Sequence, residues 1–162
     1  MGIRTGAAFL DSLRDGRQIW IDGELVPDVT IDKRLAGAAQ SLTELFDMQH
    51  DPALADDMTY TSPTSGDRVG LSFIQPASVD DLVRRRGMVK LWMDATCGMF
   101  GRSPDFMNIT LQGFASDFRE FGRKEQRFAD NLRNYLYARE NDIAMTHTLI
   151  NPQVARSKPV EQ

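Results

Sequence analysis

Apolar residues in this chain recur mostly at helical spacing, and β-like alternation is confined to short stretches. Ala7 to Leu13 reads as a short helix closed by Asp15-Gly16. Gln18-Ile19-Trp20-Ile21 alternates, Asp22-Gly23 carries the signature of a type I′ hairpin turn, and Glu24-Leu25-Val26 returns. Leu35, Ala38, Ala39, Leu42, Leu45 and Phe46 form one apolar stripe, predicting a helix capped by Asp32 and ended at His50-Asp51-Pro52. Met58 to Ile74 is rich in β-prone residues around Pro63-Thr64-Ser65-Gly66-Asp67, predicting a second hairpin that Gln75-Pro76 breaks.

The second half is helical in pattern. Ser78-Val79-Asp80-Asp81 resembles a capping box. It opens a helix whose predicted buried face is Leu82, Val89, Met93 and Phe100, with Trp92 beside it. Gly98 and Gly101 loosen the chain, and Ser103-Pro104 has the form of a cap and first turn of another helix. A long helix is predicted from Phe118 to Arg139, with Phe121, Phe128, Leu132 and Tyr135 on one side. Asn141-Asp142 ends it, and Ile143 to Ile150 reads as extended. The aromatic residues Phe114, Phe118, Phe121, Phe128, Tyr135 and Tyr137 read as helix packing. The expected fold class is mainly α with one or two small β-hairpins, in one domain over residues 1–162.

Composition narrows the function. A chain of 162 residues has room for one real core, and its apolar and charged fractions are those of a soluble globular protein. The net charge of -4 argues against a nucleic-acid partner, which calls for a basic excess. Arg84-Arg85-Arg86 is a local basic run, but Asp80 and Asp81 precede it, so a solvated helix face is expected there. No apolar stretch approaches the length of a membrane span, the start lacks a secretory segment, and Gly6 breaks a myristoylation pattern. The expected compartment is the cytoplasm. One cysteine, Cys97, and two histidines leave no disulfide framework and no zinc site, so no metal is expected. Cys97 reads as a small buried hydrophobe. Dinucleotide, phosphate-loop, zinc-protease and nucleophile-elbow motifs are absent.

Two segments carry polar groups beside stiffening prolines: Gly101-Arg102-Ser103-Pro104-Asp105-Phe106-Met107-Asn108 and His147-Thr148-Leu149-Ile150-Asn151-Pro152-Gln153. Arg102 presents a permanently charged planar fork near a helix amino terminus, where anions are favoured. From spacing alone it pairs with Asp105, one turn on. His147 lies in the apolar run Ala144 to Ile150. It is either a core histidine bonded to a carbonyl or a base able to take a proton near neutral pH.

Together with Arg4-Thr5-Gly6, Phe9-Leu10, Ser12-Leu13, Asp15-Gly16-Arg17 and Asp22-Gly23-Glu24, these segments resemble the 4-hydroxyphenylacetate 3-monooxygenase oxygenase-component family. Related flavin hydroxylases of the pyoverdin-chromophore type belong to the same group. The resemblance runs over essentially the whole chain. It implies the helical amino-terminal domain of an acyl-CoA-dehydrogenase-like fold, without the family's middle β domain and carboxyl-terminal helical bundle. The family's enzymes are two-component monooxygenases that hydroxylate a phenol at the ortho carbon, through a flavin hydroperoxide formed from O2 and reduced FAD. A separate flavin reductase supplies that FAD.

Carried over residue by residue, the resemblance assigns Arg102 and His147 as catalytic. It places the phenol on Arg102, Phe106 and His147, and the flavin on His147, Thr148, Asn151 and Gln153. Phe106 stands where several members have tyrosine, so it keeps the ring and loses the hydroxyl. That points away from 4-hydroxyphenylacetate toward another phenol. A homotetramer is expected of the full-length protein.

Two other expectations stand beside this one. The chain reads as a piece of a longer protein, and by itself it could be a non-catalytic helical interaction module. A 4-hydroxybutyryl-CoA dehydratase shares the superfamily but needs several thiolates for its cluster, and this chain has Cys97 alone.

Overall fold

The structure, a computed structural model, describes residues 2–98, 105–121 and 130–146. Helix α1 spans Gly6–Ser12, and a hairpin of β1, Ile19–Ile21, with β2, Glu24–Val26, follows. Helix α2 spans Ala36–Met48 and the short α3 Ala55–Met58, leading into a second hairpin of β3, Thr59–Thr61, and β4, Arg68–Gly70. A 3-10 turn at Leu71–Phe73 crosses the core before α4, Val79–Ala95. Then come α5, Asp105–Ser116, α6, Phe118–Phe121, and α7, Asn131–Glu140.

Local chemistry accounts for most boundaries. Asp22 and Gly23 both take positive φ, 52° and 82°, as a type I′ turn requires, and Ile21 pairs with Glu24 across it. Both hairpins are antiparallel, with Thr59 opposite Gly70 in the second. Ser78 accepts from the Asp81 amide while Asp81 accepts from the Ser78 amide, so the predicted capping box starts α4. Helix α7 stops at Asn141-Asp142, as the sequence predicts.

Two apolar clusters form the core. Leu45, Met58, Leu71, Ile74, Met88 and Trp92 make one, and Phe73, Ala115, Tyr135 and Ala138 make the other. The 3-10 turn joins them, since Leu71 and Phe73 look into different clusters. Helix α1 rests on α2 by a close backbone approach. A Cβ on Gly6 would lie 2.4 Å from Thr43 Cγ2 and 2.5 Å from Thr43 O, so only glycine fits. The Gly6 amide donates to Asp47 Oδ1 at 2.7 Å, and Phe9 stacks on Phe46 with centroids 4.7 Å apart.

Several expectations are corrected. Asp32 does not cap α2. Its carboxylate accepts from the Arg34 amide and pairs with the Arg34 guanidinium, forming a local turn, and the helix starts four residues later. Ala38, placed in the buried stripe, is exposed, and the polar Thr43 is buried instead. Leu82 is 45% exposed because the inner face of α4 runs through Met88 and Trp92, about 100° round from the predicted stripe. Val89 and Met93 are half-buried, and Phe100 lies outside the described residues.

Cys97 is exposed rather than buried, at a positive φ of 52° just past the end of α4. Phe114 and Tyr137 are also exposed, on the outer faces of α5 and α7. Of the predicted 118–139 helix, Phe118–Phe121 and Asn131–Glu140 are helical; Phe128 lies outside the described residues, as do Ser103 and Pro104. Residues 143–146 have no regular secondary structure, and Ile143 to Thr146 is the described part of the predicted extended run.

Candidate functional site

Of the residues assigned from sequence, Phe106 alone is described. It sits in the first turn of α5 and is 39% exposed. Arg102, His147, Thr148, Asn151 and Gln153 lie outside the described residues. What the structure does establish is the frame around Phe106 and up to Thr146.

That frame converges on one narrow pocket. Its walls are Leu42, Leu45 and Phe46 of α2, Trp92 of α4, Asn108 of α5, and Ile143 and Ala144 beyond α7, with Gln49 and Asp142 among them. Asn108 is the last residue of the Arg102 segment, and Ala144 precedes His147 by three positions. One residue of the first segment and one just before the second therefore line the same pocket. The cavity volume is about 30 Å³, room for a single water-sized group and too small for an aromatic ring.

The segment that leaves α7 is firmly held. Asp142 is buried, in the left-handed region with φ 46°. Its Oδ2 accepts from Gln49 Nε2 at 2.9 Å and from the Arg4 amide at 3.1 Å, and its carbonyl accepts from Arg4 Nε at 2.9 Å. Burial pushes the Asp142 carboxyl above the usual carboxylate range, against the opposing pull of these donors. The same burial lowers the Arg4 guanidinium. His50 Nε2 lies 3.0 Å from the Arg4 carbonyl, which closes the ring of contacts. The Gly2 amide donates to Glu140 O and the Ile3 amide to Arg68 O, so the chain start is sewn between β4 and α7.

A second buried polar cluster braces α7. Tyr135, with no exposed surface, donates from its hydroxyl to Phe73 O at 2.5 Å. Arg139 reaches Tyr135, Thr64 and Glu140, and Glu140 accepts from Ser62 and Ser65. Burial pushes the Tyr60 hydroxyl well above its ordinary value.

Sequence reasoning missed the buried polar residues of α5 and of the turn after α7. Asn108 and Gln112 are both buried, one turn apart on the inner face of α5. Two amides at i and i+4 among Leu111 and Ala115 were the available signal, because buried amides demand partners. Asp142 read only as a helix end. Among the described residues, no group of three or more His, Cys, Asp or Glu could hold a metal ion. No described helix is long and apolar enough to cross a membrane.

Comparisons with known proteins agree with this frame. The family described as 4-hydroxyphenylacetate 3-hydroxylase N terminal matches residues 5–162. The 4-hydroxyphenylacetate 3-monooxygenase oxygenase component of Geobacillus sp. (strain PA-9) is 39% identical over 166 residues, covering 100% of this chain and 33% of that protein. Its counterpart in Thermus thermophilus is 40% identical over 158 residues, 96% of this chain and 32% of that one. A crystal structure of such an oxygenase component, complexed with FAD and 4-hydroxyphenylacetate, superposes with a TM-score of 0.86 at 38% identity, over 96% of this chain and 32% of that chain.

The chain thus spans about a third of the length of the curated relatives it matches. A 4-hydroxybutyryl-CoA dehydratase from N. maritimus superposes with a TM-score of 0.78 at 19% identity, a likeness of fold alone. The expected mainly α, acyl-CoA-dehydrogenase-like fold with one or two small hairpins is borne out, and two hairpins are present among the described residues.

Proposed function

The chain belongs to the 4-hydroxyphenylacetate 3-hydroxylase N-terminal family, and from that premise we propose that it forms the helical amino-terminal part of a two-component, FAD-dependent monooxygenase acting on a phenol. The observation that carries this reading is its likeness, over 96% of its length, to an oxygenase component complexed with FAD and 4-hydroxyphenylacetate. The whole enzyme is completed by a β domain and a carboxyl-terminal helical bundle, assembles as a homotetramer, and receives reduced FAD from a reductase.

The residues suit that chemistry. Thr148, Asn151 and Gln153 offer a hydroxyl and two amides, a neutral set of donors and acceptors that matches the edge of an isoalloxazine ring. When bound, reduced FAD would supply the two electrons that reduce one atom of O2 to water, while the other atom is inserted into the phenol.

The chain's own work is to hold and activate the phenol. A ring nitrogen of His147 takes the proton of the phenol, and the Arg102 guanidinium holds the resulting phenolate oxygen, raising electron density at the ortho carbon. Phe106 packs against the ring without adding a hydrogen bond.

The direct test supplies the purified full-length protein with reduced FAD, O2 and a panel of para-substituted phenols, and follows catechol formation by chromatography. A catechol from at least one phenol is the expected result. Oxygen consumption without catechol from any of them would overturn the reading in favour of a non-catalytic helical module.

A further inference from the structure

Two buried polar atoms of the narrow pocket have no partner in the protein. Trp92 is 7% exposed, and its indole Nε1 makes no hydrogen bond. Asn108 is 5% exposed; its Nδ2 donates to Ser72 Oγ at 2.7 Å, but its Oδ1 accepts nothing. Both residues line the same cavity, otherwise walled by α2 side chains, by Gln49 and Asp142, which bond each other, and by Ile143 and Ala144. One free atom is a donor only and the other an acceptor only. A buried polar atom left unmatched is costly, so each calls for a partner.

We propose that this pocket is a binding site for one hydroxyl-sized ligand, bridging the Trp92 indole and the Asn108 amide. The group must accept from N–H and donate to C=O at once, which a hydroxyl or a water does and an ammonium or carboxylate does not. The volume of about 30 Å³ has room for such a group. In the protein alone the occupant is water. A ligand hydroxyl has the same chemistry and can replace it. The bridge ties the carboxyl-terminal half of α4 to the first turns of α5, beside the turn that carries Phe106. The proposal stands on the pocket alone and does not need the hydroxylase reading.

The test uses protein labelled with 15N-tryptophan and measures magnetisation transfer from water to each indole proton, in the rotating frame to separate contact from exchange. Trp92→Phe assigns the signal, and the exposed Trp20 serves as the internal reference. The Trp92 indole proton is expected to show a direct contact with a long-lived water. In Asn108→Leu that contact is lost and the indole signal shifts, while the Trp20 signal stays in place.

Ser72→Ala removes the other partner of Asn108 and leaves the contact intact, which guards against a general loosening. With phenol added, persistence of the water assigns the site to water, and its replacement by a contact to phenol assigns it to a ligand hydroxyl. A Trp92 indole proton with neither contact overturns the proposal, and that result can be read from the unsubstituted protein alone.

Discussion

Gln49 Nε2 donates a 2.9 Å hydrogen bond to Oδ2 of Asp142, 93 residues further along the chain. This bond joins the end of α2 to the segment leaving α7, and both residues face the pocket shared with Trp92 and Asn108. The Asp142 carboxylate is the buried charge on which that junction depends.

Its titration gives a pH prediction. The folded-state pKa of Asp142 is raised by burial above the ordinary value of about 3.9. The native state therefore holds its proton to higher pH than the unfolded chain does. Stability from this group is fully present below the unfolded pKa and is lost as pH rises through the folded one. Asp142→Asn keeps an acceptor for Gln49 and Arg4 and tolerates the left-handed backbone. Thermal midpoints measured from about pH 4 to about pH 7 should fall less steeply in the variant than in the parent. Parallel curves would refute the assignment.

Gly6→Ala forces a methyl into Thr43, with both nearest contacts to that residue inside 2.6 Å. Overpacking of this kind costs about 1–3 kcal/mol. Chemical denaturation should show that loss with an unchanged slope, whereas Gly37→Ala, where nothing lies within 4 Å, should be neutral or stabilising.

Tyr135→Phe removes the hydroxyl that donates to Phe73 O and accepts from Arg139 at 3.4 Å. Both partners are buried, so the expected destabilisation is about 1–3 kcal/mol, the cost of leaving them unmatched. An equilibrium unfolding curve superimposable on the parent's would show that the cluster does not brace α7.

For the proposed reaction, Arg102→Ala and His147→Ala in the full-length enzyme should each uncouple oxygen use from product. Reduced FAD would still be oxidised and hydrogen peroxide would accumulate in place of catechol. Unchanged coupling in both variants removes these residues from the site.

Phe106→Tyr adds the hydroxyl that the family resemblance leads one to expect at this position. If it meets the phenol, one added hydrogen bond of about 0.5–1.5 kcal/mol raises kcat/KM for 4-hydroxyphenylacetate by about 2- to 12-fold. No change in selectivity across the phenol panel would place Phe106 outside the substrate site.

The sequence by itself determined the local grammar. Asp22-Gly23 required a type I′ turn because both residues must take positive φ, and Ser78-Val79-Asp80-Asp81 carried its own cap. The family was also readable, because the Arg102 and His147 segments are contiguous in sequence. Tertiary structure decided which face each helix buries. Leu82 faces solvent and Thr43 faces inward because the neighbours of α4 and α2 lie where no periodicity records them.

It also decided the pocket. Gln49, Trp92, Asn108 and Asp142 come from four separate stretches, and only packing brings them to one cavity. A buried amide or carboxylate is held in place by partners far along the chain, so its role cannot be read from its sequence neighbours.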